Sequence, residues 1–129
     1  MMQRIENFEG EFGYKTIRWI YNGKKIEKHF KRPVFDAYNL LDRNEVLVIA
    51  DFEEVGNRNL IIFDATGKKK ATPKMPKLSK AVRGVYSIWY KEGVDQQITI
   101  LLTEHFDPYD TKCFLDLNTY EFHDFSPSK

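Results

Sequence analysis

The chain of 129 residues contains a single cysteine, Cys113, and no long apolar run. One thiol excludes an intramolecular disulfide and every zinc site built on several cysteines, which fits a reducing compartment. No apolar run approaches the roughly 20 residues that a membrane-spanning helix needs. The first ten residues also lack the apolar stretch of a secretion signal. We therefore expect a cytoplasmic protein that makes no use of a membrane.

Catalytic signatures are missing as well. The sequence has no Gly-x-Ser-x-Gly, His-Glu-x-x-His, P-loop or Gly-x-Gly-x-x-Gly. Nothing in the spacing of His29, His105 and His123 joins two imidazoles into an acid–base pair for RNA cleavage. Cys113 lies at a position that matches an apolar residue in the earlier half of the chain, so we expect a buried, inert thiol. The sequence thus predicts that the protein is not an enzyme and holds no cofactor.

What is present is a composition typical of one folded domain. Apolar residues make up 42% of the chain and aromatic residues 15%. A chain of this size can bury enough apolar surface to offset the entropy lost on ordering, without disulfides or structural metal. We expect one β domain over residues 1–129.

Two stretches, residues 37–73 and 85–127, resemble each other in pattern. The pattern of apolar residues in 46–52 corresponds to that in 98–106, and the pattern of residues 63–68 corresponds to that of residues 115–120. Self-similarity of this kind indicates one supersecondary unit used twice, with neither copy able to bury its apolar face alone. The sequence therefore predicts two similar antiparallel meanders of three to four strands, an internal repeat.

A hairpin is predicted before the two meanders. Asn22-Gly23 separates two alternating stretches, residues 14–21 and 24–30, and both central residues of a type I′ turn need positive φ. Within the first meander, residues 46–50 are continuously apolar, which predicts a strand buried on both faces. The fold class predicted is all-β and antiparallel.

The packing of the meanders is open to two predictions. The sequence of residues 59–68 is typical of a strand, a turn and a second strand, and it resembles the outer corner of a β-propeller blade. Two blades cannot close a ring, because closed propellers take about four to eight. We therefore favour a sandwich or barrel of meanders packed face to face, with a partial propeller-like arrangement as the alternative.

Charge is segregated along the chain although the net charge is only +1. Residues 11–32 carry seven bases against two acids, and residues 36–64 carry seven acids against two bases. Residues 65–91 then hold eight bases and no acid, and residues 92–129 hold eight acids against two bases. If the fold keeps these segments apart, it has acidic and basic faces that attract charged partners. Alternatively, segments of opposite sign pair with each other across the sheets.

Two acidic loops occupy equivalent positions in the two meanders. Because insertions in repeats map to one face, we expect both loops at one edge of the fold, forming a partner-binding site. The carboxylates would steer a basic partner and the aromatic rings would anchor it. The predicted site residues are Asp51, Phe52, Glu53, Glu54, Glu104, Phe106, Asp107, Tyr109 and Asp110. A metal is not predicted there, because the spacing around His105 matches neither a calcium loop nor a zinc site.

The first functional hypothesis is a non-enzymatic protein-binding domain. Among bacterial proteins of this size, an immunity protein that neutralises a cognate toxin suits an acidic edge, because many nucleic-acid-cleaving toxins have cationic sites. The alternative is a nucleic-acid-binding domain that uses the basic tract from Lys68 to Arg83, with Trp89 and Tyr90 to stack on bases. Against it stands a sequence pI of about 7.8, below what a dedicated nucleic-acid binder usually has.

Overall fold

The computed structural model describes residues 4–78, 81–103 and 110–128. Within these ranges the chain forms eleven β-strands and one helical turn. In chain order they are β1 (Glu6–Glu9), β2 (Thr16–Tyr21), β3 (Lys24–His29), β4 (Asp36–Leu40), β5 (Glu45–Ile49), α1 (Phe52–Val55), β6 (Leu60–Asp64), β7 (Lys69–Ala71), β8 (Val82–Trp89), β9 (Gln96–Thr103), β10 (Asp110–Asp116) and β11 (Glu121–Ser128).

The strands form three antiparallel meanders. The N-terminal sheet has the order β1-β2-β3, the middle sheet β4-β5-β6-β7 and the C-terminal sheet β11-β10-β9-β8. Within each sheet, every strand pairs with the strand that precedes or follows it in sequence, which is the order of a meander. The predicted all-β, antiparallel class is confirmed. That the two four-stranded sheets are copies of one unit stays a prediction.

The middle sheet is buried on both faces. Side chains of β5 alternate between two cores: Leu47 and Ile49 pack towards the C-terminal sheet, whereas Val46 and Val48 pack towards the N-terminal sheet. All five residues of β5 are buried. The apolar run that begins at residue 46 is therefore explained by the place of β5 at the centre of the stack. The prediction of a strand buried on both faces is confirmed.

Each interface between sheets has its own apolar core. The core shared with the N-terminal sheet includes Ile17, Trp19, Ile61 and Phe63. The core shared with the C-terminal sheet is built from Leu40, Leu47, Ile49, Leu60, Ile62, Val82, Val85, Ile88, Leu101, Cys113, Leu115 and Leu117. The sheets pack in layers and, among the described residues, form no closed barrel. The partial propeller-like arrangement stays a prediction.

The structure differs from the sequence prediction at three places. The Asn22-Gly23 turn is as predicted, with φ of 52° and 76°. However, β1 adds a third strand to the predicted hairpin, and a helical turn replaces the loop expected after β5. In addition, β11 continues to Ser128, one residue beyond the predicted stretch 85–127, with a register shift opposite Lys112 and Phe114.

Candidate functional site

The helical turn α1 lies where the first acidic loop was predicted. Asp51 is its N-cap and has an extended backbone, and its Oδ1 accepts a hydrogen bond of 2.8 Å from the Glu53 amide. Carboxylates at the first turn are favoured because the first amides of a helix have no partner within the helix. Gly56 ends the turn with φ of 82°. The acids are thus placed by helix capping.

Two of these acids bind the segment that follows β3. The Nε of Arg32 donates to Oδ2 of Asp51 at 2.8 Å. The carboxylate of Glu54 accepts the main-chain amides of Lys31 at 3.1 Å and Arg32 at 2.7 Å. These contacts join the end of the N-terminal hairpin to the middle sheet. Charge segments of opposite sign therefore pair here.

The third acid contacts the C-terminal sheet. Glu53 forms an ion pair with Arg83 of β8, and the Arg83 guanidinium lies 4.5 Å from the centroid of the Phe52 ring. Phe52 packs edge-on against Phe35 at 5.2 Å between centroids, and Phe35 lies 5.7 Å from Tyr86. The rings therefore form a continuous row across the boundary between the middle and C-terminal sheets.

We call this region the junction surface and define it as Phe35, residues 51–55, Arg83 and Tyr86. It combines aromatic area with charge. Tyr86 is 49% exposed and Val55 is 41% exposed, while Phe35 and Phe52 are half-buried. The side chain of Glu53 keeps 54% of its surface exposed despite its pairing with Arg83. The surface thus presents apolar rings beside an accessible carboxylate.

The carboxyl of Asp51 is held in its charged form. Burial acts to raise its pKa, but the hydrogen bonds from the Arg32 side chain and the Glu53 amide outweigh burial, and the pKa lies below its usual value. The same hydrogen bond is the main reason that the pKa of Arg32 lies above its usual value. The pair remains ionised at neutral pH.

The structure brings together four of the nine predicted site residues: Asp51, Phe52, Glu53 and Glu54. The predicted residues Glu104, Phe106, Asp107 and Tyr109 lie outside the described residues. Asp110 is the first residue of β10 and pairs in register with Ser128. That both acidic loops share one edge stays a prediction. The sequence analysis missed Phe35, Arg83 and Tyr86, which only tertiary packing brings to α1.

The basic tract is partly engaged within the fold. Lys70 forms an ion pair with the buried carboxylate of Glu45, and its ammonium lies 5.9 Å from the centroid of the Tyr120 ring. The hydrogen bond to Glu45 raises the pKa of Lys70. Arg83, at the other end of the tract, belongs to the junction surface. The exposed bases that remain among the described residues of the tract are Lys68, Lys69, Lys74 and Lys77.

The candidate catalytic and metal-binding groups are dispersed. His29 is on β3 and lies 3.1 Å from Thr16 Oγ1, whereas His123 is on β11 of another sheet and lies 3.0 Å from Asp124 Oδ2. Cys113 is buried, and burial raises the pKa of its thiol to about 12, as expected for an unreactive cysteine. Within residues 4–78, 81–103 and 110–128, no cluster of three or more metal-ligating side chains occurs.

Comparisons with known proteins give no assignment. No protein-family model matches the chain, and neither a curated protein nor a solved structure is similar to it at a significant level. In the part of the chain that the structure describes, no helix has the length and apolar character needed to cross a bilayer.

Proposed function

We propose that the protein is a non-enzymatic binding domain that docks a basic protein partner on the junction surface. The observation that supports this most directly is the row of rings from Phe52 to Tyr86, open at Tyr86 and flanked by Glu53. In protein interfaces a few aromatic and Arg side chains, buried on binding and surrounded by contacts that exclude water, contribute most of the binding energy. Carboxylates at the rim raise the rate of association with a cationic partner.

The internal contacts of Arg83 suggest how a partner would bind. Arg83 already covers one side of Phe52 and pairs with Glu53, so cation–π and carboxylate contacts to a guanidinium are feasible at this place. A partner cation would bind at the open side, next to Tyr86 and Val55. The Asp51–Arg32 pair would hold α1 in place during binding.

A bacterial immunity protein that neutralises a cognate toxin in the cytoplasm is the specific form of this proposal. An acidic and aromatic surface is complementary to the cationic site of an enzyme that cleaves nucleic acids. This proposal is supported by the chemical complementarity of the surface and not by the fold, because one fold can serve many functions.

The test is affinity capture from the native cell lysate with the tagged protein, at low and high salt, with and without nuclease. We expect one discrete basic protein that survives nuclease treatment and is lost with the combined Glu53→Lys and Tyr86→Ala variant. The matched control is Glu11→Lys with Phe12→Ala, which changes an exposed acid and an exposed ring in another loop. Equal recovery by both variants would contradict binding at the junction surface.

The nucleic-acid alternative predicts a different result in the same experiment. Captured material would be nuclease-sensitive and would elute steeply with salt, because lysine–phosphate contacts release counterions. Replacing the exposed Lys69, Lys74 and Lys77 by glutamine would abolish capture, and the junction variant would retain it. That outcome would move the binding surface to the basic tract.

A further inference from the structure

One face of the C-terminal sheet carries an apolar row that the other sheets do not cover. Trp89 of β8 pairs in register with Ile98 of β9, Ile98 with Phe114 of β10, and Phe114 with His123 of β11. The flanking residues Cys113 and Leu115 belong to the core shared with the middle sheet. Because side chains alternate along a strand, the row points away from that core.

The row is accessible over most of its length. Trp89 is 59% exposed, and Ile98, Phe114 and His123 are half-buried. The rings of Phe114 and His123 stack at 5.7 Å between centroids. Ile100, two residues further along β9, is on the same face but is only 6% exposed, so the accessible area is confined to the row itself. Exposed apolar area that continues across β8, β9 and β10, bordered by the His123 imidazole on β11, is typical of an interaction surface.

The outer face of the N-terminal sheet, at the opposite end of the stack, is polar. On β2, Ile17 and Trp19 belong to the core, so the residues between and beside them face outwards. Among these, Arg18 lies 3.6 Å from a carboxylate oxygen of Glu27 and 3.9 Å from one of Glu9. Terminal units of stacked folds need a polar outer face of this kind for solubility. The N-terminal sheet has such a face, and the C-terminal sheet presents an apolar row in its place.

Charge along β10 indicates which molecule would fit. Lys112, Phe114 and Asp116 share the outer face, with the base and the acid on opposite sides of the ring. Glu121 is in register with Asp116 and adds to the acidic side. A two-fold axis that runs across the strands along the apolar row would place Lys112 of one molecule opposite Asp116 of the other. It would also stack the row on itself, with the strands of the two sheets nearly aligned.

We propose that this face binds a second copy of the same chain, forming a symmetric dimer through the two C-terminal sheets. The two-fold arrangement places the apolar row against itself and Lys112 against Asp116, as an isologous interface requires. The proposal is independent of the junction surface, because Phe35 and Phe52 belong to the boundary between the middle and C-terminal sheets. A dimer would present two junction surfaces to partners.

The test is sedimentation of the untagged protein over a dilution series, with tryptophan emission recorded on the same samples. We expect a dimer that dissociates on dilution while the emission shifts to the red. The shift reports Trp89, because Trp19 is 1% exposed in the core of each protomer. Trp89→Lys should weaken the dimer roughly a thousandfold, since one aromatic anchor is lost from each copy. Lys112→Glu should weaken it by about tenfold, an effect that high salt reduces.

The control is Phe12→Lys, which replaces an even more exposed ring, at 74%, outside the C-terminal sheet. It should leave the dimer unchanged, and all variants should keep the far-ultraviolet spectrum of the parent. A protein that sediments as a monomer at every concentration would overturn the proposal. So would a dimer that Trp89→Lys leaves intact, because the contact would then lie on another face.

Discussion

Asn59 is the residue whose replacement should destabilise the fold most clearly. Its side chain is fully buried at the boundary between the middle and C-terminal sheets. The amide nitrogen donates to the carbonyl of Ala50 at 2.8 Å and to that of Val85 at 2.7 Å. The side-chain oxygen accepts the amide of Val85 at 2.8 Å. One side chain thus satisfies three main-chain groups on two sheets.

The expected effect follows from those three groups. Asn59→Ala leaves two carbonyls and one amide without their partner at a site that water does not reach. Each buried group left without a partner costs about 1–3 kcal/mol. Allowing for partial relaxation, we expect a loss of about 3–6 kcal/mol, a large part of the roughly 5–15 kcal/mol that stabilises a typical domain.

Equilibrium unfolding in urea measures this loss, with the slope m used to check that the transition remains two-state. Asn57→Ala is the matched control, since Asn57 is exposed, and it should change the free energy of unfolding by no more than about 0.5 kcal/mol. Asn59→Asp retains the shape and removes the amide donors, and it should be as damaging as the alanine variant. A loss below about 1 kcal/mol for Asn59→Ala would refute the reasoning.

Three further predictions concern contacts between sheets. Gly84→Ala should destabilise the protein, because an added Cβ would lie 2.5 Å from the Asn59 side-chain oxygen and because Gly84 has a φ of 154°. Urea unfolding of the two single variants and of the double variant should show that Gly84→Ala costs less free energy of unfolding once Asn59 is replaced by alanine. Trp19→Phe should cost about 1–3 kcal/mol in a thermal or urea melt, because the buried indole donates at 2.7 Å to a main-chain carbonyl that would lose its partner. Because the pKa of Asp51 is lowered on folding, its contribution is present above its unfolded pKa of about 3.9 and is lost as the pH falls through its folded pKa. The free energy of unfolding should fall in that acidic range, and less steeply in Asp51→Asn or Arg32→Gln; identical profiles would contradict the assignment.

Local patterns were sufficient to predict much of the fold. Asn22-Gly23 encodes its turn through positive φ, and the run of residues 46–50 encodes a strand buried on both faces. By contrast, β1 has no alternating pattern, and it pairs with β2 through a register shift after the left-handed Asn7. Its existence depends on the neighbouring strand. The helical turn has a local signal in the sequence, since Asp51 is a capping residue and Glu54 follows it three residues later. The sequence analysis predicted a loop there and did not use this signal.

The candidate site was predicted only in part, and the reason is sequence separation. Residues 51–54 are adjacent in the chain, so their acidic and aromatic character is visible in the sequence. Phe35, Arg83 and Tyr86 come from two other strand regions and meet α1 only because the sheets stack. The paired charges of Arg83 and Glu53 likewise belong to segments of opposite sign. Sequence alone could not distinguish separate charged faces from such pairing.

The most direct test of the account is hydrogen exchange of the protein with and without the partner recovered by affinity capture. If the junction surface is the binding site, main-chain amides of residues 52–56 and 83–87 should exchange more slowly in the complex. Amides of residues 69–77 and of the N-terminal hairpin should be unchanged. Protection confined to residues 69–77, with none in α1, would contradict the central claim that the junction surface binds the partner.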